Sequence, residues 1–513
     1  MQKVFLWIQK FPFVYKSKIF FERCSILLPD KLSSSLAQNK QLFQELLPIG
    51  TSFDIITRDI TLGSTSCFFL AINGMCDLQA IQWLFADIEA VNFQTGAQNT
   101  ASLPQYVKDQ FLYAQITFSS SPKEMLDNLL CGPCLLLIDG YEQGLIIDTR
   151  EYPSRSVEEP DTERVIQGAK DGFTETLLTN CNLIRRRLRY PGLTFSITKI
   201  GSLSNTDVAI AFLKGQCDSN LITELQDKLN SLQTATLTMG IHSLHELLIK
   251  KSMLHPMPSA FLTARPDVAC SYLTEGYVLL MVDTSPFALV LPCHLFQFLQ
   301  NPEDYYKSPP VGTYTRFVRF LCLLLSLFLM PTFLLFCLEP ELLPSILQRL
   351  VPQTLHPAAI FIYVIFVELG LDLFKYASAH SANAYSGAFG IIGGLLLSDM
   401  AISLNWTNEE VIFYGAATLL ASLGITSVEL ADAIKLYRLF LILLTGLFAL
   451  IKLPWIGYLL GIILTFISIV TTPVFSESKY LWPLYPFHKK ALSRLLFRYP
   501  TSKIQPQPID KHR

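Results

Sequence analysis

The stretch "TRDITLGSTSCFFLAINGMCD", residues 57–77, has a counterpart in "TKIGSLSNTDVAIAFLKGQCD", residues 198–218. Both copies end in Gly-x-Cys-Asp. In each copy an apolar run typical of a β-strand precedes the glycine, and a pattern typical of an α-helix follows the aspartate. Asp77 and Asp218 are therefore predicted to cap the N-termini of the helices that follow them.

A second pair of matching segments lies further along the chain. "LLLIDGYEQGLIIDT" (135–149) pairs with "LLMVDTSPFALVLP" (279–292), and each is typical of a hairpin around a polar turn. We therefore predict an α+β multidomain membrane protein with two tandem repeated α/β cytosolic modules. The predicted domains are an N-terminal basic and aromatic extension (1–45), module 1 (46–150), a helical connector (151–193), module 2 (194–305), a helical transmembrane domain (306–475) and a basic C-terminal tail (476–513).

The composition is more apolar than that of an ordinary soluble protein. Of the 513 residues 50% are hydrophobic and 16% charged, the mean hydropathy is +0.36, and most of the apolar excess lies beyond position 310. With 40 basic and 42 acidic residues, no global field draws the chain to nucleic acid, so no nucleic-acid partner is expected. Eleven cysteines without regular spacing indicate free thiols in a reducing compartment. Lysines interrupt the N-terminal apolar run, so no cleaved signal peptide is expected.

The second half contains several segments that could cross a membrane. "FVRFLCLLLSLFLMPTFLLFCL" (317–338) is long enough for a hydrocarbon core of about 30 Å. Basic residues precede this segment and recur in the tail, so both ends of the domain are expected on the cytoplasmic side. We predict four to six membrane segments, the further candidates being 357–371, 384–403, 411–425, 437–452 and 454–472.

Small and polar residues form a stripe in the third of these segments, "NAYSGAFGIIGGLLLSDM". The stripe recurs at spacings of three and four and includes a GxxxG pair. Small residues of this kind permit close helix packing. Alternatively, the stripe could line a water-filled path between subunits. Its members are Asn383, Gly387, Gly390, Gly394 and Ser398.

Carboxylates also fall within or beside the membrane segments. Such groups are costly at membrane depth unless they face water or a partner, and an acidic ring supplied by several subunits would favour cations. Interfacial solvation explains Asp399 and Asp432 equally well. The preferred candidates are therefore Glu368 and Glu429.

One tetrapeptide raises an enzymatic alternative. Cys131-Gly132-Pro133-Cys134 is the tetrapeptide of thioredoxin-like oxidoreductases, whose first cysteine lies at a helix N-terminus. Here the motif runs directly into "LLLI", a strand pattern, and the repeat copy lacks it. A turn with two incidental cysteines is the favoured interpretation. No catalytic, cofactor-binding or metal-binding residues are predicted.

The connector contains "EEPDTERVIQGAKDGFTETLLTNCNLIRRRLR", residues 158–189. Its second half predicts a helix with an apolar face and a basic last turn, which complements the helix dipole. The arginines are interpreted as an internal or intersubunit clasp that ties the soluble modules together. The candidate members of this clasp are Arg185, Arg186, Arg187, Arg189, Glu158, Glu159 and Asp161.

The connector, together with "LLLIDG" and "SFDIITRDI", resembles the signature of the A-subunit family of spore germinant receptors. "FLCLLLSLFLMPTFLLFCLEPELLP" and "YLWPLYPFHKKAL" are similar to the stage V sporulation protein AF branch of that family, and the resemblance covers about residues 30–500. It implies a multi-pass protein of the inner spore membrane, with the N-terminal domain and C-terminal tail on the cytoplasmic side. It further implies a ring-shaped homo-oligomer, a small membrane partner protein and other germination proteins as partners.

The expected function is a non-enzymatic one in spore germination. The resemblance implies an oligomeric ion-channel subunit that amplifies ion release after nutrient sensing. The alternative within the family is a nutrient-receptor A subunit that works with B and C subunits. An alternative of another class is a membrane-tethered thiol oxidoreductase that uses the CGPC pair.

Overall fold

The computed structural model describes residues 28–62, 65–77, 79–86, 103–110, 115–152, 168–249, 255–344, 348, 351–352, 357–380, 399–404, 406–475 and 478–500. The chain divides into two compact units. The first comprises Met1–Val157, Thr176–Ile197 and Ala209–Gly215, and the second comprises Glu158–Glu175, Thr198–Val208 and Gln216–Arg513. The predicted domain boundaries remain a prediction.

The first sheet has the strand order β1-β2-β4-β5-β3. Its β4 and β5 pair antiparallel, which confirms the first predicted hairpin. Side chains of β2 alternate between two apolar cores, with Phe69 in one and Phe68 in the other, as the two-residue period of a strand requires. The strands are β1 (Ile55–Leu62), β2 (Thr65–Ile72), β3 (Gln115–Ser119), β4 (Cys134–Ile138) and β5 (Gly144–Asp148).

Helices supply the other side of each core. On one face of the sheet Phe43 and Met125 are fully buried, and on the other face Val107 and Ile81 are buried. Ile81 belongs to a helical segment at residues 79–86. The remaining helices of these layers are α1 (Leu36–Leu46), α2 (Leu103–Gln110) and α3 (Pro122–Leu129).

The second sheet has the order β6-β7-β9-β10-β8, the same arrangement as the first. Its β9 and β10 pair antiparallel, which confirms the second predicted hairpin. The strands are β6 (Leu193–Ile200), β7 (Thr206–Leu213), β8 (Phe261–Thr263), β9 (Val278–Val282) and β10 (Ala288–Leu291). The helices in this part of the chain are α4 (Leu177–Arg187), which belongs to the first compact unit, α5 (Ser219–Ser231), α6 (Ile241–Leu248), α7 (Pro266–Thr274) and α8 (Glu303–Tyr306).

The repeated Gly-x-Cys-Asp motif has a structural cause in both copies. Gly74 and Gly215 have φ angles of +75° and +86°, a region that glycine enters without steric cost. Three residues later, Asp77 accepts a hydrogen bond from the backbone N–H two positions ahead, at 2.8 Å, and Asp218 does the same at 3.0 Å. The two predicted helix caps are therefore confirmed.

Long apolar helices make up the later part of the second unit. They are α9 (Pro309–Leu338), α10 (Pro357–His380), α11 (Glu409–Leu423), α12 (Val428–Ala449) and α13 (Pro454–Val470), and a short basic helix, α14 (Lys489–Leu496), follows. Pro331 lies inside α9. Among the described residues, α9 alone is long and apolar enough to cross a membrane, and α13 is a shorter apolar helix. The four to six membrane segments therefore remain a prediction.

Candidate functional site

A buried ion pair links α10 to α12. Glu368 is 1% exposed, and its Oε2 accepts a hydrogen bond from Arg438 Nη2 at 2.8 Å. Arg438 also donates from Nη1 to the carbonyl oxygen of Ser326 on α9, at 2.8 Å. One guanidinium group thus connects three of the apolar helices. Within the described part of the chain, Glu368 Oε1 and Arg438 Nε are buried and have no hydrogen-bond partner.

Two further ion pairs continue along the same two helices. Asp372 pairs with Lys435, and Asp432 lies 2.7 Å from Lys375 Nζ. We call the three pairs, Glu368–Arg438, Asp372–Lys435 and Lys375–Asp432, the ion-pair ladder. Burial decreases along the ladder, because the side chains of the second pair are about one quarter exposed and those of the third are 39% and 56% exposed.

Glu368 and Asp432 are acidic members of this ladder that were named from the sequence, whereas their basic partners were not. Lys435 and Arg438 follow Asp432 at spacings of three residues, and Lys375 follows Asp372 at the same spacing. Residues three apart share a helix face, so each helix presents one charged edge. In the sequence, this spacing is the feature that indicates that the charged edge of one helix faces a charged edge of another.

Glu429, the other preferred carboxylate, does not belong to the ladder. It lies in the first turn of α12, beside Ser427, whose hydroxyl caps the helix by accepting from the N–H of Leu430 at 3.3 Å. An acidic residue in the first turn also complements the helix dipole. Glu429 is exposed, and it lies nine residues before Arg438, about 13 Å along the helix axis.

Several predicted site residues lie outside the described residues. They are the whole small-residue stripe, Asn383, Gly387, Gly390, Gly394 and Ser398, and the three clasp acids, Glu158, Glu159 and Asp161. Their roles remain predictions.

Arg185 is the most buried member of the predicted clasp, with 0% exposure. Its Nε and Nη2 donate to Asp54 Oδ2 at 2.9 and 2.6 Å, and Nη2 also donates to the carbonyl oxygen of Leu193 at 3.0 Å. Ser52 Oγ donates to Asp54 Oδ1 at 2.5 Å and accepts from the N–H of Phe195 at 2.9 Å. The network thus joins the strand β1 region to α4 and β6 within the first compact unit.

The other arginines contact the surface around the CGPC turn. Arg186 is stacked over the Tyr152 ring at 4.8 Å, and Arg189 Nη1 donates to Cys131 Sγ at 2.9 Å. The Tyr152 hydroxyl donates to the carbonyl oxygen of Cys131 at 2.5 Å. Arg187 Nη1 donates to the Leu183 carbonyl within α4, at 3.4 Å. The end of the connector helix is therefore held against the CGPC turn.

The CGPC pair does not have the environment of a reactive dithiol. Cys131 lies in a turn after α3, and Cys134 is the first residue of β4 and fully buried. Cys134 lies 3.0 Å from the Thr149 hydroxyl and belongs to the same apolar core as Cys76. The neighbouring Cys76 and burial together raise the pKa of Cys134 far above its ordinary value, so this thiol is buried and held in its neutral form. The thiol oxidoreductase alternative therefore has no support here. No metal-ligating cluster occurs among the residues that the structure describes.

A third buried charge cluster lies where module 2 leads into α9. Asp304 Oδ2 accepts from Arg316 Nε at 3.3 Å, and Asp304 Oδ1 accepts from Arg319 and from the Thr315 hydroxyl. Arg316 Nη1 also donates to the carbonyl oxygen of Arg494 at 2.9 Å. The two arginines at the start of the first apolar helix are thus buried and paired, rather than free interfacial charges.

Comparisons with known proteins give one consistent result. The family model described as "Bacillus/Clostridium GerA spore germination protein" matches residues 41–509. The chain is 34% identical to stage V sporulation protein AF of Bacillus subtilis (strain 168) over 476 residues, which are 92% of this chain and 94% of that protein. It is 26% identical to spore germination protein KA of the same organism over 494 residues, 95% of this chain and 88% of that protein.

A solved structure is similar to part of this chain. The crystal structure of the N-terminal domain of the A subunit of the Bacillus megaterium spore germinant receptor GerK3 is 25% identical. It covers 51% of this chain and 96% of that chain, with a TM-score of 0.39.

Proposed function

Because the chain belongs to the GerA family of spore germination proteins, we propose that it promotes germination as an oligomeric ion-channel subunit of the inner spore membrane. In this proposal it aids or amplifies ion release after nutrients are sensed. It carries out no enzymatic reaction. Its partners are the lipid bilayer, further copies of the chain, a small membrane protein and other germination proteins.

The lengths of the helices support a multi-pass arrangement. At a rise of about 1.5 Å per residue, the 24 residues of α10 and the 22 of α12 extend over about 36 and 33 Å, enough for a hydrocarbon core of about 30 Å. The 15 residues of α11 and the 17 of α13 extend over less. We propose four to six membrane segments, with the N-terminal domain and C-terminal tail on the cytoplasmic side.

The ion-pair ladder is the observation that carries the proposal. Charged side chains inside a membrane almost always face a partner or water, and they often mark ion or substrate pathways. Here Glu368 and Arg438 are buried between apolar helices, with one polar atom on each side chain left without a hydrogen-bond partner among the described residues. Paired charges inside a bundle of apolar helices are typical of membrane proteins with an ion or substrate pathway, which supports the proposal.

Conductance of the purified protein in planar bilayers tests the proposal. We expect ion current from the assembled oligomer, and we expect Gly390→Leu or Gly394→Leu to block assembly or to alter the conductance. If the correctly assembled ring carried no ion current, the channel proposal would be overturned. If both leucine variants assemble and conduct normally, the stripe is neither pore nor interface.

The second candidate function is that of a nutrient-receptor A subunit with B and C partners. The 26% identity to spore germination protein KA favours this alternative, and the 34% identity to stage V sporulation protein AF favours the accessory channel. Affinity purification from spore membranes distinguishes them. Stoichiometric recovery of two dedicated subunits would support the receptor, and recovery without them would support the accessory channel.

A further inference from the structure

A cavity of about 610 Å³ lies between module 2 and the beginning of α12. One wall consists of α7 and the loop after it, the second of residues 298–306, and the third of the turn between α11 and α12, residues 423–429. All three walls belong to the second compact unit. This volume falls within the range of about 300–1,000 Å³ that is usual for small-molecule sites.

Carboxylates supply the charge of the cavity. Asp267, Glu275 and Glu429 line it, whereas the lining residues within the described ranges include neither lysine nor arginine. Asp267 is already neutralised, because Arg265 Nη2 lies 2.8 Å from it and the Tyr306 hydroxyl donates to it at 3.0 Å. Glu275 and Glu429 have no side-chain partner among the described residues, although both are exposed to the cavity. Two carboxylates without an ion-pair partner in the described part of the chain therefore face the same space.

Burial and nearby arginines have opposite effects on the pKa of Glu275. Neighbouring protein atoms reduce the hydration of this carboxylate and raise its pKa to about 7, and the positive charges of Arg494 and Arg316 oppose the rise. The carboxylate still touches the open space of the cavity, so water there limits this rise. A cation beside Glu275 in the cavity would favour the charged form of this carboxylate.

Aromatic rings form much of the remaining wall. Phe261 lies edge-to-face with Tyr272 at 5.3 Å and with Phe298 at 5.5 Å, and all three line the cavity. Tyr305, another lining residue, already has the Arg316 guanidinium over its ring at 5.3 Å. Aromatic faces attract cations, most strongly where water is excluded. Aromatic walls with unpaired carboxylates therefore suit an organic cation better than a neutral or anionic molecule.

From this combination we propose that the cavity is a binding site for a small organic ammonium ion with an apolar body. The ammonium group lies between Glu275 and Glu429, and the apolar body packs against Phe261, Tyr272 and Phe298. Because Glu429 is in the first turn of α12, a bound ligand bridges module 2 and the helix that carries Arg438. No ion conduction is needed for such binding, so the site can be tested apart from the channel.

Calorimetric titration of the full chain in lipid nanodiscs tests the site. The probe is phenethylammonium, and its matched neutral analogue is 2-phenylethanol, with empty nanodiscs as the background. We expect saturable binding of the ammonium ion at micromolar to millimolar concentrations, and binding of the alcohol weaker by about tenfold or more. Glu275→Gln and Glu429→Gln should each weaken binding of the ammonium ion by about tenfold, since each removes a charge without changing shape.

Glu246→Gln is the matched control, because Glu246 is an exposed carboxylate of α6 that does not line the cavity. Its affinity for phenethylammonium should equal that of the unmodified chain. The proposal is overturned if the ammonium ion gives no saturable heat, if the alcohol binds equally well, or if neither cavity variant weakens binding. Thermal unfolding of each variant shows whether it folds. If one of the two cavity variants has a folding defect, the binding measurement on the other one tests the proposal.

Discussion

Arg185 and Asp54 form a fully buried ion pair between residues 131 positions apart in the chain. Both side chains have 0% exposure, and the guanidinium group meets the same carboxylate oxygen through two nitrogens. The remaining carboxylate oxygen is occupied by Ser52, and Arg185 also reaches the Leu193 carbonyl. Removal of one partner of such a pair leaves the other charge buried and uncompensated, which is costly.

Replacement of Arg185 by methionine should therefore be strongly destabilising. Arg185→Met leaves the Asp54 carboxylate buried without its partner, so we expect a loss of roughly 3–5 kcal/mol in unfolding free energy. Arg186→Met is the control, because Arg186 is exposed and its stacking on Tyr152 contributes about 1 kcal/mol or less. Thermal unfolding of the full chain in detergent measures both. Equal losses would contradict the central role of Arg185.

The two repeat glycines form a matched pair for a second prediction. Gly74 and Gly215 both have positive φ, so alanine at either position costs about 1 kcal/mol of backbone strain. A Cβ on Gly74 would lie 2.1 Å from Asn182 Nδ2, whereas a Cβ on Gly215 would meet nothing within 4 Å. Gly74→Ala should therefore be more destabilising than Gly215→Ala by about 1 kcal/mol or more. The same unfolding measurement compares them, and a larger loss at Gly215 would refute the steric argument.

The ion-pair ladder predicts a gradient of effects. Arg438→Met leaves Glu368 buried and unpaired, with an expected loss of roughly 3–5 kcal/mol. Lys375→Met breaks the exposed pair with Asp432, with an expected loss of about 1 kcal/mol or less. Thermal unfolding in one detergent gives both values on the same two helices. If Lys375→Met lowered the unfolding free energy more than Arg438→Met, burial would not determine how much each pair contributes to stability.

His294 predicts a pH dependence of stability. Burial lowers its pKa from 6.5 to about 4, although the carbonyl of Lys479 accepts a hydrogen bond from Nδ1 at 3.2 Å. Between pH 6.5 and 4 the unfolded chain therefore binds a proton that the folded chain does not, and stability falls as pH falls. The expected contribution to this loss is about 2 kcal/mol between pH 7 and 5.

The variant His294→Gln should lack that part of the pH dependence. His242→Gln serves as the control, because His242 is exposed. Unfolding curves at pH 7 and pH 5 for the three proteins provide the comparison. If the unfolding free energy of His294→Gln changed between pH 7 and pH 5 as much as that of the unmodified chain, other groups would cause the acid sensitivity.

Local features of the fold could be predicted from the sequence, because local interactions determine them. The hairpins and the caps at Asp77 and Asp218 each depend on a few neighbouring residues, and the repeat provided two independent copies of the same pattern. The family also followed from motifs distributed in order along the chain.

The sequence does not specify which charged groups pair with each other. The arginine cluster was recognised, yet the partner of Arg185 is Asp54 and not an acid of the same segment. Glu368 was selected as a membrane carboxylate, but Arg438 was missed, because their contact depends on how α10 and α12 pack side by side. The cavity also depends on how distant segments pack together, since its walls come from three separate stretches of chain.

The order of charges in the ladder restricts how α10 and α12 can move. Along α10 the order is acid, acid, base, and along the antiparallel α12 the partners are base, base, acid. A slip of one helical turn, about 5.4 Å, would bring Asp372 towards Asp432 in one direction and Lys375 towards Lys435 in the other. Either displacement sets like charges against each other, so a ratchet between these helices is disfavoured both ways. Any opening movement at this contact must therefore separate or rotate the two helices.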